Sequence, residues 1–254
     1  MTITTYATTL ESDRKSMSCF EKFNIQLDAP VSLSLKRYYF DLIMTNTSTT
    51  WATGGAALRF LYGVDAGVHD IDLLIESYDS DDAKYILGEV CSHVNEDEEM
   101  RAIGMKECYL NNGVVIRLYS MNYVYEKDLK FDKRFLRLVN GYRAVALEQL
   151  IAHWAFKLWA YTLQKDMPES DRFRAPWLVR DIIDMYHKKP DWGLVREAVD
   201  YFKLRQYIEE LWNSVKEDGN ELVKVGYSLC YEWWGYPVSK CREDFLNAIK
   251  NMVS

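Results

Sequence analysis

Between residues 50 and 75 the chain changes its hydrophobic rhythm three times, and this stretch restricts the folds open to it more than any other. Thr50-Trp51-Ala52-Thr53 reads as a short strand, Gly54-Gly55 breaks it, and Ala56-Ala57-Leu58-Arg59-Phe60-Leu61-Tyr62 reads as an apolar helix. Gly63 then turns the chain, and Asp70-Ile71-Asp72-Leu73-Leu74-Ile75 is strand again. On a strand, residues two apart face the same side, so Asp70 and Asp72 present their carboxylates to one site while Ile71 points into the core. Two hard oxygen ligands side by side suit magnesium, which proteins hold with one or two carboxylates plus substrate phosphates. Paired glycines between strand and helix let backbone N–H groups approach phosphate oxygens at the positive end of the helix, and the Thr53 hydroxyl stands beside them. The spacing is neither a Walker A loop, which needs Lys and Ser or Thr after the glycines, nor a dinucleotide fingerprint, which needs a third glycine. Asp-x-Asp alone is also what a solvated strand edge looks like, and a glycine pair alone is also a plain tight turn. The phosphate reading depends on the two together.

The flanking sequence supplies the rest of a fold. Ser32 is placed to cap a helix over residues 33–44, with Leu35, Tyr38, Tyr39, Leu42 and Ile43 on the face expected to lie against a sheet. A helix is expected over 82–94, then a hairpin in which strands at 105–110 and 114–119 flank Asn111-Asn112-Gly113. From Ala144 onward the pattern is helical, beginning with Leu147, Leu150, Ile151, Trp154, Leu158 and Tyr161 on one face. Further helices fit 177–186, 192–204, 206–215 and 240–252, with Pro168, Pro176, Pro190 and Pro237 at the joints. The predicted fold class is α+β: an arm at 1–32, a small mixed β-sheet flanked by helices at 33–140, and a helical domain at 141–254. The boundary is placed near Asn140-Gly141, with a cleft between the two halves.

Composition narrows the partners. Among 254 residues, 31 Lys plus Arg stand against 38 Asp plus Glu, a net charge of −7, so the mean field does not favour nucleic acid. Glu76, Asp79, Asp81, Asp82, Glu89, Glu96, Asp97, Glu98 and Glu99 crowd one acidic stretch that reads as solvated surface. Basic residues gather between Arg134 and Arg205, so a polyanion would meet that half. The five cysteines are odd in number and without a CxxC pair, which argues against a disulfide framework and a zinc site and for a reducing cytoplasm. The sequence shows neither a signal peptide nor a run of about 18 apolar residues that would span a membrane.

A glycine pair opening a helix, with an Asp-x-Asp strand some fifteen residues later, resembles the DNA polymerase β-like nucleotidyltransferase superfamily. Thr53 to Gly63 followed by His69-Asp70-Ile71-Asp72-Leu73 looks most like the AbiEii-type toxins and related minimal nucleotidyltransferases. That family also carries a Lys on a helix after the sheet domain and a basic-Asp-x-x-Asp motif on a later helix, which Lys157 and Arg180-Asp181-Ile182-Ile183-Asp184 match here. Arg180, Asp181 and Asp184 can share one helix face. The resemblance runs from about Trp51 to Tyr186. It departs from the family in three places. Ala66-Gly67-Val68-His69 replaces the usual Arg and Ser or Thr before the acidic pair. The only charged residue in Val114 to Tyr119, where a third carboxylate is usual, is Arg117. Arg180 stands where Lys is common.

The resemblance implies an enzyme that moves a nucleotide from an NTP to an acceptor hydroxyl, at the 3′ end of tRNA or on a protein, as the toxin of a toxin-antitoxin pair. In that mechanism Asp70 and Asp72 hold magnesium, or manganese in its place. Thr53, Gly54, Gly55, His69, Arg180 and Asp184 contact the nucleotide, Lys157 or Arg180 offsets transition-state charge, and Asp181 accepts a proton or orients Lys157. Arg117 either weakens a second metal site or does the electrostatic work itself. The runner-up is a catalytically degenerate domain that binds nucleotide or a protein partner, and a third reading is an antibiotic-modifying nucleotidyltransferase. His153, one turn before Lys157, reads as a packed helix residue or a cleft residue. The tryptophans read as helix packing, with base stacking by Trp177 beside Arg172 and Arg174 as the alternative.

Overall fold

The computed structural model describes residues 31–102, 104–121, 133–217 and 220–254, so nearly all of the expected arm lies outside the described residues. Helix α1 (Leu33–Asn46) starts where the Ser32 hydroxyl accepts a hydrogen bond from the Leu35 N–H. Its buried residues are Lys36, Phe40, Ile43 and Met44, a face rotated from the expected one, and Tyr38 is 59% exposed. Phe40 packs against Phe60 and Tyr142, with ring centroids 5.2 and 6.0 Å away.

Strand β1 (Trp51–Ala52) runs into α2 (Gly54–Phe60), and the chain returns as β2 (Ile71–Ile75) antiparallel to β1. It continues through α3 (Asp81–Tyr85), a wide helical turn at Ile86–Val90, β3 (His93–Asn95) and α4 (Glu98–Ala102). Two hairpins complete the sheet: β4 (Met105–Tyr109) with β5 (Val115–Ser120), and β6 (Leu136–Val139) with β7 (Tyr142–Val145). Among the described residues the strands form one sheet in the order β3-β4-β5-β2-β1-β7-β6. The β2–β5 and β1–β7 pairs are parallel and the other neighbours antiparallel. Ile71, Leu73 and Ile75 on β2 and Ile116 and Leu118 on β5 are buried, and alternation puts Asp72, Arg117 and Tyr119 on the opposite face.

The helical half comprises α5 (Leu147–Leu163), α6 (Glu169–Arg172), α7 (Ala175–His187), α8 (Trp192–Tyr201), α9 (Arg205–Val215), α10 (Glu221–Trp234) and α11 (Val238–Val253). Helix α7 is its centre, with α5, α10 and α11 packed around it. The two halves share a core: Phe135, fully buried before β6, lies 5.7 and 5.5 Å from the rings of Tyr201 and Phe202. The fold is α+β, a mixed sheet with flanking helices followed by a helical region, as the sequence predicts.

Several local expectations are corrected. The helix expected over 82–94 stops early, because the chain widens at Ile86–Val90 and then joins the sheet as β3. Asn140-Gly141, read as a domain junction, is the turn of the β6–β7 hairpin, both residues having positive φ (51° and 85°), so the sheet extends to Val145. Helix α10 was not anticipated; Asn220 caps its start and Gly235, at φ 71°, ends it. Asp82 is not solvated like the rest of its acidic stretch: it is 6% exposed and accepts hydrogen bonds from the Ser48 and Thr49 N–H groups and the Thr50 hydroxyl. Cys91 and Cys108 form a disulfide, against the expectation from cysteine count. Cys91 lies just before β3, whose Val94 pairs with Cys108, and the Cα atoms of the two cysteines are 5.4 Å apart. No helix among the described residues is long and apolar enough to cross a membrane.

Gly226 lets α10 approach α7 closely, since a Cβ there would lie 2.5 Å from the Val179 Cβ and 3.0 Å from the Pro176 carbonyl oxygen. Backbone cannot yield as a side-chain tip can. Gly226→Ala is expected to destabilise the protein by about 1–3 kcal/mol, read as a lowered urea midpoint.

Candidate active site

The site is set by strand register. On parallel β2 and β5, Asp72 lies opposite Arg117, and on antiparallel β4 and β5, Glu107 lies opposite Arg117. Arg117 Nη1 is 2.5 Å from Oδ2 of Asp70, just before β2, and Arg117 Nε donates to Glu107 Oε1 at 2.7 Å. The Tyr119 hydroxyl, two residues further along the same face, donates to Asp72 Oδ1 at 3.3 Å. Asp70 and Asp72 therefore meet one side of the sheet, as their spacing predicts.

The glycine pair has a steric explanation. Gly54 has φ 62°, and a Cβ on it would overlap the Asp72 carboxylate. A Cβ on Gly55 would overlap the Gly67 carbonyl oxygen. The Thr53 N–H donates to the Asp72 carbonyl at 3.0 Å, which fastens the turn to β2. Backbone, with no side chain between, is thereby brought against the Asp72 carboxylate.

Charge in the site is unevenly compensated. Desolvation, and then the neighbouring Asp70, push Asp72 up to about 7, against the pull of Lys157 and Arg117. Desolvation works against the charged guanidinium of Arg117, yet Asp70 and Glu107 more than offset it and hold Arg117 cationic. Desolvation also opposes the charge on Glu107, but hydrogen bonds from Tyr109 and Arg117 prevail and lower it below the usual carboxylate range. His69 is lowered by loss of solvent around its ring; Asp70 opposes this, while Arg174, Lys36 and Lys157 reinforce it. Three cations thus act on the loop beside the acidic pair.

That loop, from Gly63 to His69, is held by the helical half. The Asp65 N–H donates to Asp184 Oδ2 at 2.7 Å, and its carbonyl accepts from Arg180 Nη2. Its carboxylate pairs with Arg59 and accepts from the Trp233 indole N–H. Lys36, 8% exposed, donates to the Val68 carbonyl at 2.5 Å. The Arg180 side chain is 4% exposed and bonded to Asp181 Oδ1 at 2.9 Å. Its guanidinium carbon stands 5.0 and 4.9 Å from the ring centres of Trp177 and Trp233.

The structure therefore brings together Thr53, Gly54, Gly55, His69, Asp70 and Asp72, and it places Arg180 and Asp184 on the loop backbone. Asp181 is turned inward: Arg180 takes Oδ1 and the Trp154 indole N–H donates to Oδ2 at 3.2 Å, with no bond to Lys157. Lys157 is exposed, its Nζ 5.7 and 5.9 Å from the ring centres of Trp154 and Tyr161, and its charge reaches both Asp72 and His69. His153 is a packing residue, 4.7 Å from the Phe202 ring and brought down to about 4 by burial. Sequence reasoning missed Glu107, Lys36, Asp65 and Trp233. Glu107 alone had a readable signal, since the Asn111-Asn112-Gly113 turn fixes a register that sets it against Arg117.

The donor set fits a divalent cation. Asp70 and Asp72 supply two hard oxygen donors; burial is the larger cause of the upward shift of Asp72, and a cation held by the pair would relieve the part that comes from Asp70. Among the described residues no third His, Cys, Asp or Glu completes an all-protein cage, so substrate oxygens or water would fill the remaining positions.

Two outcomes follow from this geometry. An acid raised in the folded state binds its proton more tightly there than in the unfolded chain, so its stabilising effect is full below about pH 4 and is lost as pH rises to about 7. Metal-free Asp72→Asn should show a flatter urea midpoint than wild type across that interval, and added magnesium should flatten the wild-type curve in the same way. Arg180→Ala should cost about 3–5 kcal/mol, as removal of one partner of a buried pair does, whereas exposed Lys157→Ala should stay within about 0.5 kcal/mol of wild type. Equilibrium denaturation of both variants checks this.

No family model and no curated protein matches the sequence. Among solved structures, JHP933 from Helicobacter pylori is similar at 10% identity, over 90% of this chain and 94% of its own, with a TM-score of 0.46. A protein from H. pylori described as a candidate nucleotidyltransferase is similar at 10% identity, over 89% of this chain and 96% of its own, with a TM-score of 0.48. Likeness at this level leaves function to be read from the side chains themselves.

Proposed function

We propose that the protein is a magnesium-dependent nucleotidyltransferase that moves an NMP from an NTP to an acceptor hydroxyl. The observation that carries this reading is the convergence of Asp70 and Asp72 on one sheet face, against a glycine turn that admits no side chain. Asp70 and Asp72 would hold magnesium or manganese, which supplies positive charge to the triphosphate. Thr53, Gly54 and Gly55 line the approach with backbone. Lys157, His69 and Arg174 would provide cationic or hydrogen-bonding groups near the acidic pair. Arg180 and Asp184 act on the nucleotide through the loop that they hold, and Asp181 acts by fixing Arg180. The acceptor oxygen bonds to the α-phosphorus in line, the bond from that phosphorus to the β-phosphate bridging oxygen breaks, pyrophosphate leaves, and the hydroxyl proton passes to water. Catalysis is then mostly positioning and electrostatics.

The acceptor is the 3′ end of tRNA or a hydroxyl on a protein, and the concentration of basic residues between Arg134 and Arg205 favours tRNA. By its resemblance to AbiEii-type proteins, the chain would be the cytoplasmic toxin of a toxin-antitoxin pair, with an antitoxin as protein partner. A second reading, a non-catalytic nucleotide- or protein-binding module, draws support from the Arg117 contact on Asp70.

Label from the four α-³²P NTPs, with magnesium, should pass to total tRNA or to protein. In the Asp70→Ala, Asp72→Ala double variant it should fall by on the order of 10³-fold, as expected for loss of metal-ion charge stabilisation. Equal inertness of wild type and variant, both folded, would support the non-catalytic reading and prompt a trial of aminoglycoside acceptors.

A further inference from the structure

We infer that the site takes one divalent cation per chain, because Arg117 is a built-in cation that fills the place a second ion would need. The inference rests on the nucleotidyltransferase reading and specifies the metal content of its site. Arg117 enters from the strand beside β2 and reaches Asp70 Oδ2 at 2.5 Å, so one of the two oxygens with which Asp70 could bridge a pair of ions is already committed. On its other side Arg117 is anchored by Glu107 at 2.7 Å.

Glu107 is the only further carboxylate bonded to this cluster among the described residues, and it is not free to serve as a ligand. Its side chain is 7% exposed, Oε1 accepts from Arg117, and Oε2 accepts from the Tyr109 hydroxyl at 2.6 Å. Asp72 is likewise limited, with Oδ1 on Tyr119 and Oδ2 facing the Gly54 backbone. Charge gives the same count. Three carboxylates against one guanidinium leave two negative charges when all are ionised, which one divalent ion neutralises. A second ion would stand beside a fixed guanidinium and leave the cluster net positive. Arg117 cannot make way by losing its proton, since an arginine side chain does not deprotonate in proteins.

The test counts Mn²⁺ bound to the full chain, titrated with metal alone and read from the electron paramagnetic resonance signal of free Mn²⁺. Wild type and Arg117→Lys should each bind one ion, and Arg117→Glu should bind two. Circular dichroism and thermal melting establish that each variant is folded; if Arg117→Glu is not, neutral Arg117→Gln is held to the same count of two. Two ions in wild type, or one ion in a folded variant that lacks the cation, would overturn the inference and leave the nucleotidyltransferase reading standing. No ion in wild type would also overturn the inference, whereas the nucleotidyltransferase reading stands or falls on the label-transfer assay.

Discussion

A buried guanidinium must find its compensation inside the protein, and Arg180 draws it from its own helix, from α10 and from the loop before β2. Trp177 lies one turn earlier on α7, Trp233 comes from α10, Asp181 is the next residue, and the remaining acceptor is the Asp65 carbonyl in the loop between α2 and β2. Removing water from a charge is costly unless rings, carboxylate and carbonyl all arrive together. The same contacts therefore unite the helical half and fix the loop that leads into Asp70. In this structure Arg180 and Asp184 of the basic-Asp-x-x-Asp motif hold the backbone of the loop that leads into Asp70.

The acidic face is a second balance of charge, and it is incomplete. Glu107 and Arg117 satisfy each other and Asp70 shares in that pairing, whereas Asp72 has a tyrosine hydroxyl and, without a direct ion pair, the charges of Lys157 and Arg117. A protein that needed this face only for stability would have no reason to press two acids together against bare backbone. Uncompensated charge in a confined place is the usual mark of a site built for a ligand.

Much of this was legible before any coordinates. Alternation at the start of β2 gave Asp70 and Asp72 a common face, the glycine turn was correctly placed, and the helices after Ala144 other than α10 followed from period, because these features depend on neighbours in sequence. Contacts between distant segments were not legible. Nothing in Asp65 announces Trp233, 168 residues away, and Lys36 lies on a helix whose apolar residues suggested a different buried face. Asn140-Gly141 misled for another reason: the same dipeptide marks a junction or a hairpin turn, and only the pairing of Leu136–Val139 with Tyr142–Val145 decides between them. Arg180-Asp181-Ile182-Ile183-Asp184 was read in the right place with the wrong neighbours, since periodicity gives a face and not what the face meets.

The Cys91–Cys108 bond acquires its meaning from the residue next to it. Cys108 follows Glu107 on β4, so the covalent link ties down the strand that supplies the anchor for Arg117. Strands of period two are intolerant of sliding: moved by one residue, β4 would turn Glu107 to the opposite face and present Lys106 or Cys108 to Arg117. Arg117 would then lose its acidic partner on that side, and its hold on Asp70 would be altered with it. A crosslink remote from the acidic pair in sequence thus acts as a detent, keeping an edge-side strand in the one alignment in which the charges of the site add up.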